Sequence, residues 1–268
     1  MIESRRNGTI QHPRMIFFDI DGTLIDHLSA SAAASLALYD EYPGQIPFSR
    51  AEFPVVWESI MDVHYNRFTR GEISLWEQRR ARIRDSFGAP EMTDAEAHER
   101  YYVFIREYEN LTRAYDDVAP CLEKLAGHKL GIISNGVGDQ QLGKLRRAGI
   151  VDHFTVMAFP EDTGFGKPHP SIFQEACRRA GEDPRHCIYV GDDLINDIHA
   201  SHALGIRPIW VDRVGSTTSS VPAQRITSLI QLAEVLEGLT DTSCLKETAS
   251  PQRTQSPTEE LPQRSVPQ

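Results

Sequence analysis

Asp19 and Asp21 stand two residues apart at the end of a short β-favouring apolar run, in MIFFDIDGTL, and Gly22 and Thr23 then turn the chain. Two carboxylates held at one strand end are where a metal ion and a phosphate could meet. Three later segments offer matching chemistry. LGIISNG ends on Ser134 and Asn135, where a hydroxyl and the N–H groups of the following turn can donate to a phosphoryl oxygen. GFGKPHPSIF places Lys167 before a proline at a loop-to-helix junction, a fixed cation beside the carboxylates if it points inward. YVGDDLINDI carries Asp192, Asp193 and Asp197 within six residues. Such acids repel one another unless something positive sits among them, and hard oxygen donors suit Mg2+. Singly, each segment is ordinary, because Asp-Gly and Ser-Asn-Gly are common turns and a loop lysine is usually solvated. Their order and their placement at strand ends set them apart.

The elements that must position these residues alternate along the chain. Candidate strands cover 15–19, 130–134, 155–158, 187–190 and 208–211, with helices at 119–126, 139–148, 171–180 and 197–204. Gly149, Gly181 and Gly205 follow the last three helices, the usual residue just past a helix end. The expectation is an α/β fold, a Rossmann-like parallel sheet with helices on both faces. Residues 28–116 break the rhythm and read as an all-helical insert. There Val56, Ile60 and Val63 recur at helical spacing, as do Ile73, Trp76, Ile83 and Phe87. Thr93 and Glu96 form a capping box ahead of Ala97, Tyr101, Phe104, Ile105 and Tyr108. An insert bracketed by the first two strands should lie over their carboxyl ends, where open α/β sheets bind ligands. The expected organisation is a flexible extension over 1–13, a core of 14–27 and 117–239, the helical insert, and a tail from 240 to 268. A helical run from Ile226 to Leu236 closes the core, and the Ser/Thr/Pro/Gln composition of the tail predicts disorder.

The chain has 268 residues, 40% of them hydrophobic, enough for one sizeable core and a smaller accessory domain. Its formal charge of −10 opposes broad attraction to nucleic acid or anionic membrane, so a phosphate-bearing ligand must be held by local groups or a metal. Cys121, Cys177, Cys187 and Cys244 lie far apart without a CxxC pair, as free thiols in a reducing compartment would. No signal-peptide core opens the chain, and no uncharged apolar run approaches the roughly 18 residues of a membrane span. The expectation is a cytoplasmic protein with a small-molecule partner and neither nucleic acid nor membrane.

DxDGT, a strand ending in Ser or Thr, Lys-Pro, then GDxxxxD: in this order the chain resembles the haloacid dehalogenase-like hydrolases, mostly phosphatases, over about residues 14–239. The helical insert is similar to the family's cap domain. RFTRGEISLWEQRRARI and YVGDDLINDI look most like the branch containing N-acylneuraminate-9-phosphatase and pyrimidine nucleotidases. The resemblance implies that Asp19 is a nucleophile forming an aspartyl-phosphate, and that Asp21 is the general acid and base. It implies Mg2+ held by the Asp19 carboxylate, the Asp21 backbone carbonyl and Asp192, with Asp197 orienting the metal's waters or Lys167, or Asp193 in its place. Ser134, Lys167 and the amides near Gly22 and Asn135 would steady the transferring phosphoryl group. His169, where many relatives carry Asp, reads as a surface or helix-entry residue. Arg67, Arg70, Arg79, Arg80 and Arg82 are candidates to touch a substrate anion, but an arginine-rich helical face is more often solvated, and none is taken as a site residue.

Two alternatives to a Mg2+-dependent phosphatase stand beside it. One is cleavage of a carbon–halogen or carbon–phosphorus bond on the same scaffold. Asp21 counts against the first, since the dehalogenases lack this acid, and the lack of an obvious Schiff-base lysine counts against the second. The other is a non-catalytic binding protein working through its tail, against which the full set Asp19, Asp21, Ser134, Lys167 and Asp192 argues.

Overall fold

Six parallel strands set the frame. In a computed structural model that describes residues 13–217 and 221–241, β1 (Met15–Phe18), β2 (Leu130–Ile133), β3 (Phe154–Ala158), β4 (Cys187–Gly191), β5 (Arg207–Val211) and β6 (Gln224–Ile226) form one sheet in the order β3-β2-β1-β4-β5-β6. The chain winds outward from β1 through β2 to β3, then returns to lay β4 on the other side of β1. That reversal opens a crevice at the carboxyl ends of β1 and β4, where Asp19 and Asp192 sit.

Both faces of the sheet are covered, so its central strands β1, β2 and β4 are continuous buried runs and not alternating ones. Ile16, Phe18, Ile132 and Val190 pack on one face with α5 (Val118–Lys124), α6 (Gly138–Arg147) and α9 (Leu232–Asp241). Met15, Phe17, Ile133 and Tyr189 pack on the other with α7 (Pro170–Ala180). The fold is thus α/β and Rossmann-like.

Four helices fill the interval between β1 and α5: α1 (His27–Glu41), α2 (Phe53–Thr69), α3 (Leu75–Phe87) and α4 (Asp94–Leu111). They enclose a separate core of Leu38, Phe53, Trp57, Ile83, Phe87, Tyr101 and Phe104. The Thr93–Glu96 capping box opens α4, and a second one, Ser74 with Glu77, opens α3. The segments entering and leaving the insert hydrogen-bond to each other, Asp26 N–H to Arg113 O at 3.0 Å and Tyr115 N–H to Leu24 O at 3.1 Å.

Several expectations are corrected. The buried face of α2 is Phe53, Trp57 and His64, while Val56 and Ile60 are half-buried and Val63 is exposed. An aromatic ring removes about 150–250 Å2 from water, more than a valine can, so Phe53 and Trp57 win the core. The run from Ile226 to Leu236 is not one helix: Ile226 ends an edge strand, and α9 starts at Leu232. The expected helix at 197–204 begins earlier, as a π-helical turn over Leu194–His199 leading into α8 (Ala200–Ala203). The extension before residue 13, and the tail beyond residue 241, lie outside the described residues. No helix among the described residues is long and apolar enough to cross a membrane.

Candidate active site

The carboxyl ends of β1, β2 and β4 deliver Asp19, Ser134 and Asp192 to the site. Asp19 follows β1, its N–H donating to Val190 O of β4 at 2.9 Å. Its carboxylate is buried, and Lys167 Nζ donates to its Oδ1 at 2.6 Å. The same ammonium reaches Asp197 Oδ1 at 2.7 Å and the Tyr189 hydroxyl at 2.9 Å. Asn135 clamps the Lys167 backbone from both sides: its Oδ1 accepts the Lys167 N–H at 2.5 Å and its Nδ2 donates to Lys167 O at 2.8 Å. The lysine is therefore no solvated loop charge. Burial alone would lower its pKa, but Asp19 and Asp197 more than offset that and hold it charged.

The turn after β1 works by close approach. Gly22 has φ +89°, a left-handed conformation, and a Cβ there would collide with the Asp192 carboxylate. The Gly22 N–H itself donates to Ile25 O at 2.9 Å within the turn. Thr23 Oγ1 donates to Asp192 Oδ1 at 3.1 Å.

After β4, the π-helical turn separates the two candidate outer acids. Asp193 is exposed and caps the turn, accepting from Ile195 N–H at 2.8 Å and Asn196 N–H at 2.7 Å. Asp197 is buried instead, folded back against Gly191, where a Cβ would strike it. Its Oδ2 accepts the Asp193 N–H at 3.1 Å, and its Oδ1 faces Lys167 and Tyr189. Both oxygens are engaged, so Asp197 acts on Lys167.

Asp21 stands apart from that cluster. Lys144 Nζ donates to its Oδ1 at 2.6 Å and Gln141 Nε2 to its Oδ2 at 2.8 Å, and the same Gln141 nitrogen also donates to Ser134 Oγ at 2.8 Å. Burial would raise the Asp21 pKa, but Lys144, His27 and these hydrogen bonds lower it to about 2. Lys144, Gln141 and Tyr189 were not anticipated. Their signal was faint: Gln141 and Lys144 lie three residues apart on α6, on the face that also buries Leu145.

Asp19, Asp21, Ser134, Asn135, Lys167, Asp192 and Asp197 all line one cavity of about 740 Å3 roofed by the insert. Tyr65 of α2 bonds across it, its hydroxyl donating to Asn135 O at 2.7 Å. His169 is a helix-entry residue, accepting from Ser171 N–H at the start of α7 and stacked on Phe165.

Among the described residues, Asp19, Asp192 and Asp197 can bring one carboxylate oxygen each within 4.8 Å of one another. Burial, then Asp197, pushes Asp192 up to about 7 against the opposing pull of Lys167. Burial and its acidic neighbours likewise raise Asp19 well above the usual carboxylate range despite Lys167. One ammonium does not balance the two buried carboxylates of Asp19 and Asp197 together with the half-buried Asp192. An oxygen-only donor set with surplus negative charge fits a hard divalent cation.

The comparisons agree with this architecture. The haloacid dehalogenase-like hydrolase family matches residues 13–205. Glyceraldehyde 3-phosphate phosphatase of Methanothermobacter thermautotrophicus is 30% identical over 74% of this chain and 85% of its own length. That of Methanopyrus kandleri is 39% identical, but over only 38% of this chain and 44% of its own length. Human N-acylneuraminate-9-phosphatase is 26% identical over 84% of this chain and 94% of its own. The crystal structure of the HAD-hydrolase YfnB of Bacillus subtilis bound to magnesium shares the fold with a TM-score of 0.72 at 23% identity, covering 85% of this chain and all of that one. Haloacid dehalogenases share it too. With the strand order, the acidic strand ends and a family match over most of its length, this chain belongs to the haloacid dehalogenase-like hydrolases.

Proposed function

We propose that the protein is a Mg2+-dependent phosphatase that hydrolyses small-molecule phosphate monoesters through a phosphorylated Asp19. The observation that carries the reading is the Lys167 ammonium fixed on Asp19 Oδ1 at 2.6 Å. It orients the carboxylate and places a positive charge beside the oxygen that would attack. Asp19 Oδ2 forms the bond to phosphorus while the bond to the leaving oxygen breaks, and Asp21 gives that oxygen a proton. Water then attacks phosphorus, the bond to Asp19 breaks, and Asp21 takes the proton back.

At rest Asp21 is ionised, so it must gain its proton as substrate enters. A phosphate dianion in the cavity raises the Asp21 pKa directly and competes for Lys144. The Ser134 hydroxyl accepts from Gln141 and keeps its own hydrogen to donate to a phosphoryl oxygen. The Asn135 side chain is committed to Lys167, which leaves its backbone N–H for the phosphoryl group. Asp19, the Asp21 carbonyl and Asp192 would hold the Mg2+, with Asp197 outside them on Lys167. When bound, the ion offsets the repulsion between carboxylate and phosphate.

Residues 28–116 serve as a cap on a core of 14–27 and 117–239, with the Tyr65 bond to Asn135 O closing the cavity against water. Asp21, held beside Gln141 and Lys144, favours ester hydrolysis over dehalogenation. The phosphatase names of relatives that align over most of their length support the same reading. The buried free thiols of Cys121, Cys177 and Cys187 suit a cytoplasmic setting. The test is hydrolysis of an aryl phosphate and a panel of metabolite phosphates with and without Mg2+. Activity that needs the ion and disappears in Asp19→Asn is expected; a parent inactive on the whole panel would contradict the reading.

A further inference from the structure

The arginines of the insert divide into two sets. Arg67 and Arg70 pair with Glu72, and Arg80 pairs with Asp94 at 2.8 Å; Arg70 also reaches the cavity, but its charge is already matched by Glu72. Arg79 and Arg82 do not follow them. With Leu75 and Gln78 they occupy one face of α3, at spacings i, i+3, i+4 and i+7, and that face lines the cavity containing Asp19. The expectation of a solvated arginine face fails here.

Arg82 is only 7% exposed, its guanidinium carbon 4.5 Å from the Trp57 ring centre and 5.4 Å from that of Phe104. Stacking of this kind uses the flat face of the guanidinium and leaves its in-plane N–H donors unspent. None of them has a hydrogen-bond or ion-pair partner among the described residues, and Nε is fully buried. Gln78, 2% exposed, makes no side-chain hydrogen bond there either. Glu58 is near enough to favour the Arg82 charge, but it accepts the Ser31 hydroxyl and does not line the cavity. A buried cation with idle donors facing a cavity is costly unless an anion completes it.

We infer that Arg82, flanked by Arg79 and Gln78, binds a carboxylate on the substrate, so that the enzyme selects phosphate monoesters that are also carboxylic acids. The guanidinium fork matches a planar carboxylate through two parallel hydrogen bonds. The aromatic platform of Trp57 and Phe104 fixes its plane in advance. This inference rests on the phosphatase reading above and adds the second point of recognition.

Two matched pairs of probes test it: phosphogluconate against phosphorylated glucitol, and phosphoglycerate against glycerol phosphate. Within each pair a carboxylate is exchanged for a hydroxymethyl group, and the two pairs span different lengths. The parent enzyme should prefer the acid in at least one pair by roughly 10- to 100-fold in kcat/KM. That ratio should collapse toward one in Arg82→Gln and recover in part in Arg82→Lys. Equal kcat/KM within both pairs, or an undiminished preference in folded Arg82→Gln, would overturn the inference while leaving the phosphatase reading intact. Failure of the parent to cleave any of the four esters or an aryl phosphate would remove both. Because Arg82 also supports Trp57, circular dichroism checks the fold. If Arg82→Gln is misfolded, Arg79→Gln replaces it, with a smaller fall in the ratio expected and an unchanged ratio counting against the inference.

Discussion

Lys167 and Lys144 divide the site's carboxylates between them. Lys167 holds Asp19 and Asp197, and Lys144 holds Asp21. Each lysine is buried and each is locked by its acid, so neither can be replaced by an uncharged side chain without leaving a buried carboxylate unpaired. In the proposed reaction Lys144 sets the proton balance of Asp21 and touches it directly. Lys144→Met is expected to lower kcat by roughly 100-fold, with KM changed much less, and Lys144→Arg should recover part of the loss. Steady-state kinetics on an aryl phosphate checks this; an equal rise in KM with kcat intact would assign Lys144 to substrate binding alone. The sequence made Asp19, Asp21 and Asp192 visible because they follow apolar strands, and Lys167 because it precedes a proline at a helix entry. It hid Gln141, Lys144 and Tyr189, which occupy positions where periodicity alone predicts packing residues.

At the level of elements, the turn after β1 is steadied by a clasp from elsewhere in the chain. Arg213, following β5, donates to Gly22 O at 3.2 Å and Thr23 O at 2.7 Å. It also meets both oxygens of Asp117, at 2.9 and 3.0 Å, with its guanidinium over the Tyr115 ring. Asp117 further accepts from Ser228 Oγ and Leu229 N–H, joining α5 to the C-terminal segment. Burial would raise the Asp117 pKa, but Arg213, Ser228 and the Leu229 amide lower it. A depressed carboxylate stabilises the fold above its unfolded pKa and loses that contribution as pH falls through the folded value. Asp117→Asn should therefore cost about 2–4 kcal/mol at neutral pH. The cost should shrink as pH drops below about 4, where the parent loses the same interaction. Urea unfolding of both proteins across that range is the measurement, and a difference independent of pH would show that the charge is not the cause. This clasp was not legible in sequence, since Asp117 and Arg213 are 96 residues apart. The strands β1, β2 and β4 were legible as unbroken apolar runs, whereas β6, three residues at the edge, is too short to show any period.

Across the whole molecule, a six-stranded sheet and a four-helix insert meet at one cavity, and the charge imbalance there links stability to metal. With Mg2+ at a hundredfold excess over its dissociation constant, the folded state should gain about 2.7 kcal/mol. Thermal unfolding with and without the ion would show it, and Asp192→Asn should lose most of the shift. An equal shift in that variant would place the ion elsewhere. The broad division into sheet and insert was legible because strand-like runs vanish between residues 28 and 116. The roof of the cavity was not, because Arg79 and Arg82 belong to the same arginine-rich stretch as the surface-paired Arg80, and only the packing of α3 against Trp57 and Phe104 tells them apart.

The covalent role of Asp19 is tested most directly by trapping. Turning over an aryl phosphate with Mg2+, quenching with borohydride and mapping peptides by mass should reveal homoserine at position 19, the product of reducing an aspartyl-phosphate, and none in Asp19→Asn. Steady turnover with position 19 unmodified and another carboxylate reduced in its place would contradict the account.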